Sequence, residues 1–125
     1  MQYSAYMNSP VEAYKAAGEE TRLRILKLLR QASGELCVCE LVDALEKPQY
    51  TVSKGLTVLK NARLVEERRD GKFMMYGLLH SPFSDKLFES LDMLGDLDPV
   101  YEADSRRLTA RLALRKTGTC EITYR

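Results

Sequence analysis

Hydrophobic side chains recur along this chain first at helical spacing, then around a hairpin, then at helical spacing again. Leu23, Leu26 and Leu29, with Ile25 beside them, mark a buried helix from about Glu19 to Arg30 that Ser33-Gly34 breaks. Ahead of it, Ser9-Pro10-Val11-Glu12 reads as a capping box with proline at the first helical position, opening a short helix that Gly18 ends. Leu41, Ala44 and Leu45 belong to a third helix, from about Leu36 to Leu45, stopped by Glu46-Lys47-Pro48. Val52, Leu56 and Leu59 form the apolar stripe of a fourth, between Gln49 and Asn61. Leu64 to Arg69 and Lys72 to Leu78 then flank Asp70-Gly71, a strong short-range hairpin signal. From Pro82, the residues Phe83, Leu87, Leu91 and Leu94 return to helical spacing as far as Gly95 and Asp98-Pro99, and a last helix is expected from about Tyr101 to Arg115.

Two short helices meeting across a tight turn, followed by a hairpin, are the order of a winged helix-turn-helix. The expected class is α+β, mostly α, with five to six helices and one β-hairpin wing. Residues 1–100 would form the DNA-binding and dimerisation domain, and residues 101–125 a C-terminal helix and tail carrying Cys120. At 45% hydrophobic and 30% charged residues, the composition favours a folded domain over a disordered chain. No stretch approaches the roughly 20 apolar residues that span a bilayer, and no basic start precedes an apolar run, so a cytoplasmic location and no membrane partner are expected. An enzyme would need a nucleophile with a base, or a metal with an open position. The single histidine, His80, offers neither, so no catalysis and no organic cofactor are expected.

A formal net charge of +1 does not suggest a nucleic-acid partner, but the local distribution does. From Lys54 to Lys72 the basic residues Lys54, Lys60, Arg63, Arg68, Arg69 and Lys72 face only Glu66, Glu67 and Asp70. Thr51, Ser53, Lys54 and Thr57 lie off the apolar stripe of the fourth helix, with Gln49 and Tyr50 at its leading end. Such side chains suit base edges and phosphates. On an isolated helix they would be read as a solvated face. Beside a basic hairpin they make Gln49, Tyr50, Thr51, Ser53, Lys54, Thr57, Lys60, Arg68, Arg69 and Lys72 the candidate contacts to double-stranded operator DNA.

Across about Pro10 to Leu97 the chain resembles the ArsR/SmtB family of repressors. The resemblance rests on Glu20-Thr21-Arg22-Leu23-Arg24-Ile25-Leu26, on Glu35-Leu36-Cys37-Val38-Cys39-Glu40-Leu41, and on Thr51-Val52-Ser53-Lys54-Gly55-Leu56 with Leu59 and Leu64-Val65. Gly55 stands where family members often carry histidine, and Arg63 where many have glycine. Close backbone packing would account for a glycine inside a helix, which costs roughly 1 kcal/mol relative to alanine. The resemblance implies a homodimer built from the first helix and the helix opening at Pro82, with Phe83, Leu87, Leu91 and Leu94 as the interface. The same stripe could instead cover the monomer core.

Three cysteines, two of them one residue apart, suggest reduced thiols rather than a disulfide framework. Cys37-Val38-Cys39 stands where the family's arsenic-responsive members carry a Cys-x-Cys motif. Paired thiolates without histidine favour a soft inducer, trivalent arsenic or antimony, over zinc, which normally takes four ligands. The resemblance thus implies a transcriptional repressor that releases its operator on binding arsenite, antimonite or methylarsenite. On a regular helix residues two apart point about 200° away from one another, so ligation of one atom by both thiols is expected to distort the helix start and displace the recognition helix. Residues 41–45 hold no further cysteine, leaving Cys120, from the same subunit or the other, as the third candidate ligand. A two-thiol site suited to methylarsenite, two small buried hydrophobes, and a redox-sensing repressor using the same cysteines stay open, as does a winged helix that binds protein.

Overall fold

Proline, glycine and left-handed residues set the element boundaries. The computed structural model of the chain describes residues 9–115. Pro10 occupies the first turn of α1 (Pro10–Ala17), with Ser9 at the N-cap in extended conformation. The expected capping box is absent, since the Ser9 side chain makes no cap hydrogen bond. Helix α2 (Glu20–Ala32) is capped by the Glu19 carboxylate, which accepts the Arg22 N–H at 3.0 Å, and it ends at Ser33 with φ of 53°.

The third helix starts later than the hydrophobic pattern implies. Leu36 and Cys37 form a short strand, β1 (Leu36–Cys37), and α3 runs Val38–Leu45. Leu36 pairs with Tyr76 and Cys37 with Met75, so these residues bond to a sheet before the helix begins. Cys37 becomes the N-cap, and the Glu40 carboxylate three residues on accepts its N–H at 3.1 Å. The recognition helix α4 (Gln49–Asn61) has the expected span. The wing consists of β2 (Val65–Asp70) and β3 (Phe73–Leu78), paired from Val65↔Leu78 to Asp70↔Phe73. Its two-residue loop is Gly71-Lys72, with Gly71 at φ 63°, the backbone a tight hairpin demands at its first central position. With β1 added, the sheet has three antiparallel strands in the order β1-β3-β2.

Arg63 explains itself through its backbone. It follows α4 at φ 61°, the left-handed position that usually takes glycine after a helix. Arg63→Gly is therefore expected to stabilise the fold by about 1 kcal/mol, read as a rise in the urea midpoint at constant slope. Gly55 has the complementary reason. A Cβ there would lie 3.1 Å from the Ile25 Cδ1 and 3.4 Å from the Arg22 Cγ, so α2 and α4 pack through the missing side chain.

Ile25, Leu26, Leu28 and Leu29 of α2 are buried at the centre of the core, against Leu41, Leu45, Val52, Leu56, Leu59 and Leu64. The helix opening at Pro82 does not run through to Leu97. It divides into α5 (Pro82–Ser90), a 3₁₀ turn (Leu91–Met93) and α6 (Leu94–Leu97), giving seven α-helical segments among the described residues. The Ser90 hydroxyl donates to the Leu87 carbonyl at 2.6 Å at this junction, a side-chain bond that competes with the helical ladder.

Asp98 caps α7 (Pro99–Leu112) by accepting the Val100 N–H at 2.9 Å, and Pro99 begins the helix two residues before its apolar pattern does. Helix α7, which the sequence reading groups with the tail, packs into the same core as the rest. Leu108 is fully buried, worth about 2 kcal/mol. Asp104, 1% exposed, binds Arg24 of α2 through two contacts of 2.8 Å. No helix among the described residues is long and apolar enough to cross a membrane.

Candidate nucleic-acid interface and thiol site

Helix α4 spends Val52, Leu56 and Leu59 on the core, which leaves its other side to solvent. Gln49, Tyr50, Lys54 and Thr57 are exposed, while Thr51 and Ser53 are half-buried. The Lys54 ammonium lies 5.8 Å from the Tyr50 ring centroid, and the Thr57 hydroxyl donates back to the Ser53 carbonyl at 3.1 Å. Arg69 and Lys72 are exposed on the wing, with Lys72 over the Phe73 ring.

Two of the candidate cations already hold carboxylates. Lys60 donates to Glu67 at 2.9 Å across the junction of α4 and β2. Arg68 forks onto Glu35 with its nearest contact at 2.6 Å. Hydrogen bonding to Arg68 holds the Glu35 carboxyl below its usual range, and Lys60 does the same to Glu67.

Phe83, Leu87 and Leu94 are half-buried against the core, whereas Leu91 is 1% exposed and belongs to the monomer interior, so it cannot supply an interface. The exposed apolar side chains nearby are Val11 and Tyr14 of α1, Met93 and Leu97. Tyr14 meets Phe83 edge-on with ring centroids 5.6 Å apart. That apolar surface could have been found in the sequence from Val11 and Tyr14, three residues apart on a helix whose core face is alanine.

The two adjacent cysteines come together. Cys37 is an extended N-cap residue and Cys39 lies in the first turn of α3, so the angular argument for a regular helix does not apply, and their sulfurs stand 2.9 Å apart. The expectation that ligation must unwind the helix is corrected on this point: the break at Cys37 already turns both sulfurs the same way. Cys37 is 2% exposed and Cys39 half-buried. The Cys37 sulfur is disulfide-bonded in this structure, which corrects the expectation of reduced thiols at that position, so the two sulfurs form a thiol pair in the reduced protein. A soft pair of sulfur donors at one helix end suits a thiophilic atom. Among the described residues no group of three or more His, Cys, Asp or Glu converges as a metal-binding set. Cys120, the expected third ligand, lies outside the described residues.

Cys37, Val38 and Cys39 line a cleft of about 250 Å³ together with Gln49 from the leading end of α4 and Lys72, Phe73 and Met74 from the wing. Inducer candidates and DNA-contact candidates thus share one wall. Arginines that sequence reasoning missed surround the back of the thiol pair. Arg111 of α7 donates to Asp43 at 2.6 Å and lies 3.5 Å from the Cys39 sulfur, and Arg115 forks onto Glu40 at 2.6 Å. The signal was present as Arg107, Arg111 and Arg115 at intervals of four, one face of a helix, opposite Glu40 and Asp43 at an interval of three.

Residues 19–67 match the model of a family described as bacterial regulatory protein, arsR family. An HTH-type transcriptional regulator of Methanocaldococcus jannaschii is 40% identical over 86 residues, 69% of this chain and 91% of that one. The arsenical resistance operon repressor of Escherichia coli is 41% identical over 69 residues, which is 55% of this chain but only 58% of that repressor. Among solved structures, the homodimeric winged helix-turn-helix DNA-binding domain of a Mycobacterium bovis protein, described as a possible ArsR-family regulator, superposes with a TM-score of 0.59. It is 32% identical, over 70% of this chain and 78% of that domain.

Proposed function

The chain belongs to the arsR family of bacterial transcriptional regulators, DNA-binding winged-helix proteins that are not enzymes, and from that premise we propose that it is a repressor induced by trivalent arsenic through Cys37 and Cys39. The observation that carries this reading is the cleft in which both sulfurs, Gln49 and Lys72 meet. A metalloid held between the sulfurs occupies space between the leading end of the recognition helix and the wing tip. DNA requires both of those elements to be placed against the groove. Inducer and operator therefore compete for one local arrangement, and the coupling is reciprocal: DNA weakens arsenite binding by the factor by which arsenite weakens DNA binding. The arsenical-resistance name of the Escherichia coli relative favours a metalloid inducer.

The protein acts as a homodimer, as the Mycobacterium bovis domain does, because one winged helix reads only a short half-site. Val11, Tyr14, Met93 and Leu97, with the edges of Phe83, Leu87 and Leu94, are the apolar surface such a dimer would cover. The DNA contacts are Gln49, Tyr50, Thr51, Ser53, Lys54, Thr57, Arg69 and Lys72, with Lys60 and Arg68 secondary.

For the third ligand we favour Cys120 of the same chain. Arg115 donates both to the Glu35 carbonyl, at 2.9 Å, and to the carboxylate that caps Cys37, so the chain leaves the described region beside the thiol pair. Five further residues span up to about 17 Å. The test is fluorescence anisotropy of the reduced protein on DNA from its own promoter region. Arsenite is expected to release the DNA at concentrations near those that saturate the thiols. DNA binding that ignores saturating arsenite, antimonite and methylarsenite would overturn the inducer assignment and leave the family assignment standing.

A further inference from the structure

Helix α7 presents Arg107 and Arg111 to α3, and the segment just beyond its end adds Arg115, to which the helix was expected to run; Arg111 and Arg115 surround the thiol pair. Arg111, its side chain 4% exposed, donates through Nε to Asp43 Oδ2 at 2.6 Å and places Nη2 3.5 Å from the Cys39 sulfur. Arg115 donates through Nε to Glu40 Oε2 and through Nη2 to Oε1, both at 2.6 Å. Glu40 is completely buried, and its Oε1 also accepts the Cys37 N–H. The two α3 carboxylates nearest the thiols are therefore both held on guanidinium groups, and an N–H of Arg111 faces the Cys39 sulfur.

We propose that Arg111 and Arg115 are specificity-determining residues that open the thiol pair to uncharged trivalent hydroxides and close it to divalent thiophilic cations such as cadmium. This inference rests on Cys37 and Cys39 being the inducer site. Arsenite at neutral pH is the uncharged trihydroxide. Each thiol that binds it gives its proton to one hydroxide, which leaves as water, and one sulfur–arsenic bond replaces one oxygen–arsenic bond. No net charge enters. A dication binding the same two thiols expels both their protons, so charge alone does not separate the two ligands. It differs in seeking further donors beyond two sulfurs, and the Asp43 and Glu40 carboxylates are committed to Arg111 and Arg115. Arginine suits this role because its guanidinium stays protonated when buried and grips a carboxylate through a fixed fork. The Glu40 carboxylate raises the Arg115 guanidinium further above its ordinary range.

The experiment titrates the reduced full chain with cadmium chloride and, separately, with sodium arsenite, following thiolate charge-transfer absorbance in the near ultraviolet. Arg111→Met is the main variant, since Asp43 is 35% exposed and its released carboxylate can meet water. The ratio of cadmium to arsenite affinity is expected to rise at least tenfold in R111M. R111K, which keeps the charge, and Asp43→Asn, which keeps the guanidinium, stay within threefold of the wild-type ratio. An unchanged ratio in R111M overturns the inference, and so does an equal rise in R111K. Should R111M not fold, as judged by its thermal transition, a tenfold rise in either R111K or D43N still overturns it, and wild-type ratios in both support it. A wild type that binds cadmium as tightly as arsenite defeats this inference alone. A wild type whose thiols bind neither defeats the reading of the inducer site beneath it.

Discussion

Asp104→Ala is expected to cost about 3–5 kcal/mol, the usual penalty for removing one partner of a buried ion pair. Asp104 is 1% exposed and accepts from Arg24 twice and from Arg107 once, each at 2.8 Å. Arg24 is itself 6% exposed, and without the carboxylate its charge stays buried and uncompensated. The damage extends beyond one pair. Arg24 also donates to the Leu45 carbonyl at 3.1 Å, and Arg107 to the Ala44 carbonyl at 2.7 Å. These are C-terminal carbonyls of α3 that the helix itself leaves without a donor and the two arginines satisfy, at the turn that leads into the recognition helix. A domain of this size is stable by about 5–15 kcal/mol, so the loss takes a large share of the total. Guanidinium unfolding checks it. A change below about 1 kcal/mol would mean that the pair is not closed in solution. Replacing both partners with hydrocarbon, as in Arg24→Met with Asp104→Leu, should recover much of the loss.

Cys37→Ser and Cys39→Ser are each expected to raise the arsenite concentration for half-release of DNA by at least about 100-fold, equivalent to about 2.7 kcal/mol. The Cys37 variant is the cleaner of the two. Serine is among the best N-cap residues, so the start of α3 keeps its cap and only the soft donor is lost. Cys120→Ser then determines the ligand number. A comparable rise makes Cys120 the third donor, and no rise leaves a two-sulfur site with one arsenic valence held by hydroxide or, in methylarsenite, by carbon. Wild-type release by arsenite in both Cys37 and Cys39 variants would remove the thiol pair from the mechanism.

Those features that depend on neighbours along the chain were legible in the sequence. The bounds of α4 follow from Pro48 before it and the Val52, Leu56, Leu59 stripe within it. The wing follows from Asp70-Gly71 between two runs of strand-forming residues, although its loop proves to be Gly71-Lys72. Features that depend on distant partners were hidden. Leu36 and Cys37 look helical beside Leu41 and become a strand only because Tyr76 and Met75 lie alongside. That shift of two residues converts two sulfurs expected on opposite sides of a helix into a converging pair. Leu91 falls on the same stripe as Phe83 and Leu87, yet the turn at Leu91–Met93 rotates it into the core. The arginines of α7 and of the segment after it were visible as a stripe, but which helix they met was not.

The ion pairs of Lys60 with Glu67 and Arg68 with Glu35 bear on the ionic strength at which the operator is held. Each phosphate neutralised by a protein cation releases counterions condensed on the duplex, and affinity falls with added salt in proportion to their number. A lysine or arginine that arrives with its own carboxylate releases none. Of the five cationic candidates on the reading face, Lys54, Arg69 and Lys72 remain in that count, for a slope of log affinity against log salt near about −2.7 per chain instead of about −4.5. Operator occupancy in such a protein rests more on base edges and shape than on bulk attraction to the duplex, and it persists across swings in cellular salt that would strip a more openly basic repressor from its site.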